Sequence, residues 1–242
     1  MECYFADSSN SNQQLVLDQE DTTHIIKVLR HKIGDEVVVV FQGKKYRTKI
    51  VSLTPFVVCQ IIEPLESDSE LPIKITLVMA LLKEQKFDLV IQKAVELGVH
   101  QIVPVQLERS ISVVSNLNTS KLTSKVARWQ KIARAAAKQS NRNIIPEIMP
   151  IISSISDLKK YQSEVNFLAY ENAAIANWEP NLKQKQSVTI VVGPEGGISE
   201  KELKSFAALK FTNISLGRTI LRAETAPLYF LSVVNYYSAI KN

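Results

Sequence analysis

The stretch "VVGPEGGISEKEL" (191–203) decides how the C-terminal half is read. Three of the chain's seven glycines fall within five residues here, between the apolar β-branched run "VTIVV" (188–192) and a segment that begins like a helix. Ser199 and Glu202 supply the S-x-x-E pattern, in which each side chain bonds the other residue's backbone N–H, so the spacing predicts a helix starting at Ser199. Strand, glycine loop and helix N-terminus are the ingredients of a phosphate cradle. This loop, however, has neither the G-x-G-x-x-G spacing nor a Gly-Lys-Ser/Thr ending. It also sets Glu195 among its glycines, where a carboxylate repels phosphate and suits a neutral or cationic ligand. The same glycines also fit a tight turn that holds no ligand.

A second stretch, "ISLGRTILRAETAPLYFLSVV" (214–234), repeats the order of strand, glycine turn and helix, and puts Arg218, Arg222 and Glu224 in or beside the turn. From Ala226 the predicted helix is apolar on most of its circumference, which requires burial on more than one side, in the core or in a dimer interface. Upstream, "IKITLVMALL" (73–82) reads as a buried strand, "QKFDLVIQKAVELG" (85–98) as a helix stopped by Gly98, and "VHQIVPV" (99–105) as another strand. Further strands are expected at 165–170, 188–192 and 212–216. Such alternation implies a mainly parallel α/β sheet.

Before Pro72 the rhythm differs. "EVVVVF" (36–41) and "FVVCQII" (56–62) flank the strand-like "KKYRTKI", with a possible short helix at 22–29, and this is read as a small β domain closed by a solvated linker, "EPLESDSELP" (63–72). Cys3 and Cys59 make no disulfide framework, and with His24, His31 and His100 they make no zinc-ligand spacing, so no metal is expected. No basic-then-apolar leader and no membrane-length run is seen, and a cytoplasmic protein is expected. The net charge of +5 is concentrated: 8 of the 29 Lys/Arg lie between Arg109 and Pro146, a segment without Asp or Glu, which leaves 21 against 24 acids elsewhere. On a helix, Leu122, Val126, Trp129, Ala133 and Ala137 form an apolar stripe, with Lys121, Lys125, Arg128, Arg134 and Lys138 off it. That face suits nucleic acid, or is simply solvated.

With these residues in view, the chain resembles the bacterial methyltransferases of the SPOUT superfamily that methylate N3 of a uridine in 16S ribosomal RNA. "GPEGGIS..E" (193–202) and "LGRTILRAETA" (216–226) resemble the two signature loops, and "HIIKVLRHKIGD" (24–35), "KFDLVIQKAVELGV" (86–99) and "AAAKQSNRNIIPEI" (135–148) resemble further family blocks. "MECYF" lacks the arginines usual at that end, and Lys83-Glu84 replaces a usual Lys-Gly. The resemblance implies an α/β fold: a C-terminal SPOUT domain (73–242) with a deep trefoil knot, and an N-terminal PUA-like RNA-binding β-barrel (1–70). It implies a homodimer acting on the small ribosomal subunit. It further implies S-adenosylmethionine held by Gly193, Pro194, Glu195, Gly196 and Gly197, by Leu216, Gly217, Ile220 and Leu221, and by Leu168, Ala169 and Tyr170. Glycines there would let the backbone close on the cofactor.

Arg222 is expected to stabilise the uridine anion, because a guanidinium pairs with a uracil carbonyl. Glu195 and Glu224 are the candidate bases, and Arg142 a contributor to the partner's site. RNA is expected on His24, Arg30, Arg128, Arg134, Lys138 and Arg142. A relative acting on tRNA or 23S ribosomal RNA, or a non-catalytic RNA-binding or assembly protein, are the alternatives.

Overall fold

The computed structural model describes residues 3–10, 12–66, 69–111 and 118–240. They fall into two compact units, one of residues 1–70 with 137–144, the other of 71–136 with 145–242.

The first unit is a closed barrel in the order β1 (Cys3–Ser9), β2 (Gln14–Leu17), β5 (Val58–Leu65), β4 (Lys44–Ser52), β3 (Glu36–Phe41), shut by parallel pairing of β1 with β3. Leu15, Leu17, Val37, Val39, Ile50 and Cys59 fill its interior. Burial pushes the Cys59 thiol up to about 11, so it packs as a small apolar group. Asp18 caps α1 (Gln19–Thr23) by accepting from the backbone N–H of Asp21, and a π-helical turn, His24–Leu29, follows. The linker expected at 63–72 begins inside the sheet instead: β5 runs to Leu65, with Pro64 opposite Tyr46 where β2 no longer pairs it. Proline is tolerated at such an edge because its missing N–H is not needed there.

Residues 137–144 join the barrel unit through charge. Lys138 pairs with Asp21, itself 2% exposed, and the Lys45 ammonium donates to the Asn141 carbonyl at 2.6 Å. Arg142, 3% exposed, donates to the carboxylate of Glu70, which also accepts from the backbone N–H groups of Asn143 (2.8 Å) and Ile144 (3.2 Å).

The second unit is a parallel sheet in the order β11 (Thr212–Ile214), β9 (Val165–Ala169), β10 (Ser187–Val192), β6 (Lys74–Ala80), β7 (Gln101–Val105), β8 (Glu147–Ile148). β6 and β10 are buried almost throughout, as strands covered on both faces must be. Helix α2 (Glu84–Glu96) ends at Gly98, φ +95°, where Val99 N–H donates to Ala94 and Gly98 N–H to Val95, a Schellman closure. In α3 (Thr119–Gln139), Trp129 packs on Phe87 at 4.5 Å, and Ala133 and Ala137 are buried beyond it. Helix α4 (Glu200–Ala208) carries the expected capping box of Ser199 and Glu202. In α5 (Ala226–Ile240), Phe230, Leu231 and Val234 are fully buried, and Trp178 stacks on Phe230 at 4.8 Å. Tyr229 and Tyr236 stay exposed on one stripe of the same helix. No helix among the described residues is long and apolar enough to cross a membrane.

Candidate active site

The chain runs outward from β6 to β7 and β8, then returns to build β9, β10 and β11 on the other side, so the strand order switches between β6 and β10. Crevices beyond the carboxyl ends of strands at such a switch are where open α/β sheets bind ligands. A cavity of about 680 Å³ lies there, lined by the ends of β9 (Ala169) and β10 (Val192), by Ser215 just after β11, and by Lys86 from the first turn of α2.

Three loops form its walls. In the glycine loop, Gly197 (φ +73°) donates to the Pro194 carbonyl at 2.9 Å, closing a tight turn before Ser199 caps α4. In the second, Ser215 Oγ donates to the Gly217 carbonyl at 3.0 Å; Gly217 has φ +133°, and a Cβ there would meet nothing within 4 Å. The third begins at Tyr170, whose N–H donates to the Ile214 carbonyl at 3.0 Å and so ties the ends of β9 and β11 together. A Cβ at Gly193 would stand 2.7 Å from Ile198 Cδ1, so a side chain there would have to displace the Ile198 side chain.

Of the residues expected to hold a cofactor, all but Leu168 line the cavity. Leu168 is fully buried in the sheet's core beside Val191, because consecutive residues of β9 point to opposite faces. Arg222 lines the cavity and is exposed, and its carbonyl accepts from Thr225 and Ala226 at the start of α5. Glu195 and Glu224 come together on a residue the sequence reading missed: Lys86 Nζ lies 3.1 Å from Glu195 Oε1 and 3.1 Å from Glu224 Oε2. The only hint was a lone lysine in the first turn of α2. Burial alone would raise the Glu224 pKa. Its own backbone N–H, the Lys86 ammonium and the Arg222 charge outweigh that, and hold the carboxyl below its ordinary value. Lys86 in turn is held protonated, first by Glu224 and then by Glu195.

The basic helix departs from expectation. Arg128 forks onto Asp88 with both bonds at 2.8 Å and also reaches Glu84 at 2.7 Å. Lys138 and Arg142 are engaged by Asp21 and Glu70, and Arg142 does not line the cavity. Lys125 lies over the Trp129 ring at 5.2 Å, and Arg134 is half-buried. Lys121 and Lys131 are exposed on α3, as His24 and Arg30 are on the barrel. On the face expected to be free for phosphate, Arg128 and Lys138 are thus paired with acids from other segments, while Lys121 stays exposed.

A family model described as the RNA methyltransferase domain matches residues 69–235, and one described as the RNA methyltransferase PUA domain matches 17–62. The chain belongs to the RNA methyltransferase family. Among the family's curated members, ribosomal RNA small subunit methyltransferase E of Bacillus subtilis is 36% identical over 91% of this chain and 89% of its own length. The Neisseria gonorrhoeae enzyme of the same name, solved bound to S-adenosyl methionine, superposes with a TM-score of 0.84 at 30% identity, covering 98% of this chain and 97% of that one. A candidate methyltransferase from Legionella pneumophila in complex with the same cofactor also gives a TM-score of 0.84, at 28% identity and 97% and 96% coverage.

Proposed function

We propose that the protein transfers a methyl group from S-adenosylmethionine to N3 of a specific uridine in 16S ribosomal RNA, as a cytoplasmic homodimer. The observation that carries this reading is the convergence of three loops on one cavity at the strand-order switch, in a member of the RNA methyltransferase family. The cavity's size suits a ligand of this class. The glycine loop carries Glu195 in place of a Gly-Lys-Ser/Thr ending, which suits a sulfonium better than a phosphate. The glycine loop, Leu216 to Leu221, and Ala169 with Tyr170 would hold the cofactor, which when bound supplies the electrophilic methyl group.

The chain's own work is orientation and charge stabilisation. Arg222, exposed on the cavity wall, pairs with a uracil carbonyl and favours the ring anion left when the N3 proton departs. Glu224, held ionised below its ordinary pKa, is a weak base, so solvent takes that proton. Lys86 fixes the distance between the loops that carry Glu195 and Glu224. The exposed Tyr229 and Tyr236 of α5 are the contact on which this dimer would form; the last segment of the C-terminal domain is the part that would thread the family's knot. Mapping methylated bases in ribosomal RNA from cells lacking the protein tests the reading. Loss of one N3-methyluridine in 16S RNA supports it; a lost mark in tRNA or 23S RNA instead overturns the substrate.

A further inference from the structure

The segment after β7 is bonded to the glycine loop from outside the cavity. Arg109 Nη1 donates to the Gly196 carbonyl at 3.1 Å, yet Arg109 does not line the cavity. A Cβ on Gly196 would stand 2.9 Å from Arg109 Cβ and 3.2 Å from the Arg109 carbonyl oxygen, nearer than side chains tolerate. One residue on, at Gly197, a Cβ would lie 3.3 Å from the Glu171 carboxylate and 3.9 Å from Arg109 Nη1. The neighbour Glu108 extends the attachment: its N–H donates to Glu202 Oε1 at 2.8 Å, and its carboxylate accepts from Ser199 Oγ at 2.9 Å.

We propose that Arg109 is a positioning residue for cofactor binding, which sets the glycine loop by holding the Gly196 carbonyl and by occupying the space that any side chain at 196 would need. This rests on the reading that the loop holds S-adenosylmethionine. Gly196 is therefore constrained from behind the loop as well as by the cavity that it lines. The stem of Arg109 and the absent side chain at 196 are two halves of one contact, so substitutions at the two positions are coupled. A hydrogen bond from a charged donor, lost at a loop that must be ordered to bind, is expected to weaken cofactor binding about tenfold or more.

The test is calorimetric titration of the full-length protein with S-adenosylmethionine, for wild type, Arg109→Ala, Arg109→Lys, Arg109→Gly, Gly196→Ala and the pair Arg109→Gly with Gly196→Ala. Thermal melts check that each variant is folded. Arg109→Ala should bind at least about tenfold more weakly, with KM for the cofactor rising more than kcat falls, and Arg109→Lys, which keeps one donor, should recover part of the loss. Gly196→Ala should weaken binding in the wild-type background and cost less once residue 109 is glycine, which removes the 2.9 Å Cβ contact and leaves only the 3.2 Å approach to the carbonyl oxygen of residue 109. Equal cost of Gly196→Ala in both backgrounds, or Arg109→Ala binding like wild type, overturns the proposal. A wild-type protein that takes up no S-adenosylmethionine refutes the functional reading itself, a result separate from either.

Discussion

Replacing Glu70 by alanine should destabilise the barrel unit severely without touching the cavity. Arg142 is 3% exposed and faces the Glu70 carboxylate with two guanidinium nitrogens, Nε at 3.3 Å and Nη2 closer. Removing one partner of a fully buried pair typically costs about 3–5 kcal/mol, and the loss of Glu70, which is 22% exposed, should fall toward the lower end of that range. The backbone N–H groups of Asn143 and Ile144 lose their shared acceptor too, but both residues are half-exposed and water can replace it. Arg142→Met should cost less, about 1–2 kcal/mol, because Glu70 is 22% exposed and keeps those two backbone donors. Net stabilities are only about 5–15 kcal/mol, so Glu70→Ala consumes a large part of the total. Urea titration by circular dichroism, with calorimetry to separate steps because two compact units can unfold independently, measures both variants. At permissive temperature, the methyl-transfer loss of Arg142→Met should track its unfolded fraction. A Glu70→Ala cost below about 1 kcal/mol, or a larger cost for Arg142→Met, would refute the argument.

Lys86→Met removes one of the groups that depress the Glu224 pKa, so Glu224 should protonate at higher pH. The acid limb of cofactor affinity, followed by calorimetry across pH, should move up; an unmoved limb means the two carboxylates do not matter to binding. Arg222→Lys keeps the charge but not the planar fork, and should lower the single-turnover rate by about ten- to a thousand-fold with cofactor affinity largely kept. Rapid-quench assays on bound RNA decide this, and a wild-type rate would return Arg222 to a structural role. Lys121→Glu with Lys131→Glu, both exposed, should weaken RNA binding and flatten its salt dependence in filter-binding titrations. Arg128→Glu should instead show up mainly as lost stability, since it would face Asp88 and Glu84.

Local signals carried much of the architecture. The β-branched runs of β3, β6 and β10, the glycine stop of α2, the Trp129 stripe and the capping box at Ser199 all depend on neighbours within a few residues, and sequence reading reached them. Strands β1 and β2 gave no such signal. The first changes from buried to exposed midway and the second is four residues long, so their pairing partners define them. Two of the cavity walls stood out as glycine-bearing loops, while their role and the third wall at 168–170 were read from the family resemblance. Lys86 did not stand out, because its partners lie 109 and 138 residues away. The pairing of Arg128 with Asp88, of Lys138 with Asp21 and of Arg142 with Glu70 was hidden for the same reason, since periodicity cannot connect those segments.

The barrel unit is discontinuous in the chain, made of residues 1–70 and 137–144, and this orders events during synthesis. A nascent chain released after the last barrel strand already carries Asp21, Lys45 and Glu70, yet the ions and carbonyl that complement them are not translated until β6, α2, β7 and most of α3 have emerged. At about 5–20 residues per second, the gap from residue 70 to residue 144 lasts several seconds, far longer than a small barrel needs to collapse. For that interval Asp21, Lys45 and Glu70 lack the contacts that Lys138, Asn141 and Arg142 make with them in the finished fold. The barrel's final locking is thereby tied to the appearance of the end of α3, so the barrel cannot finish maturing until β6, α2 and β7 of the other unit have been synthesised.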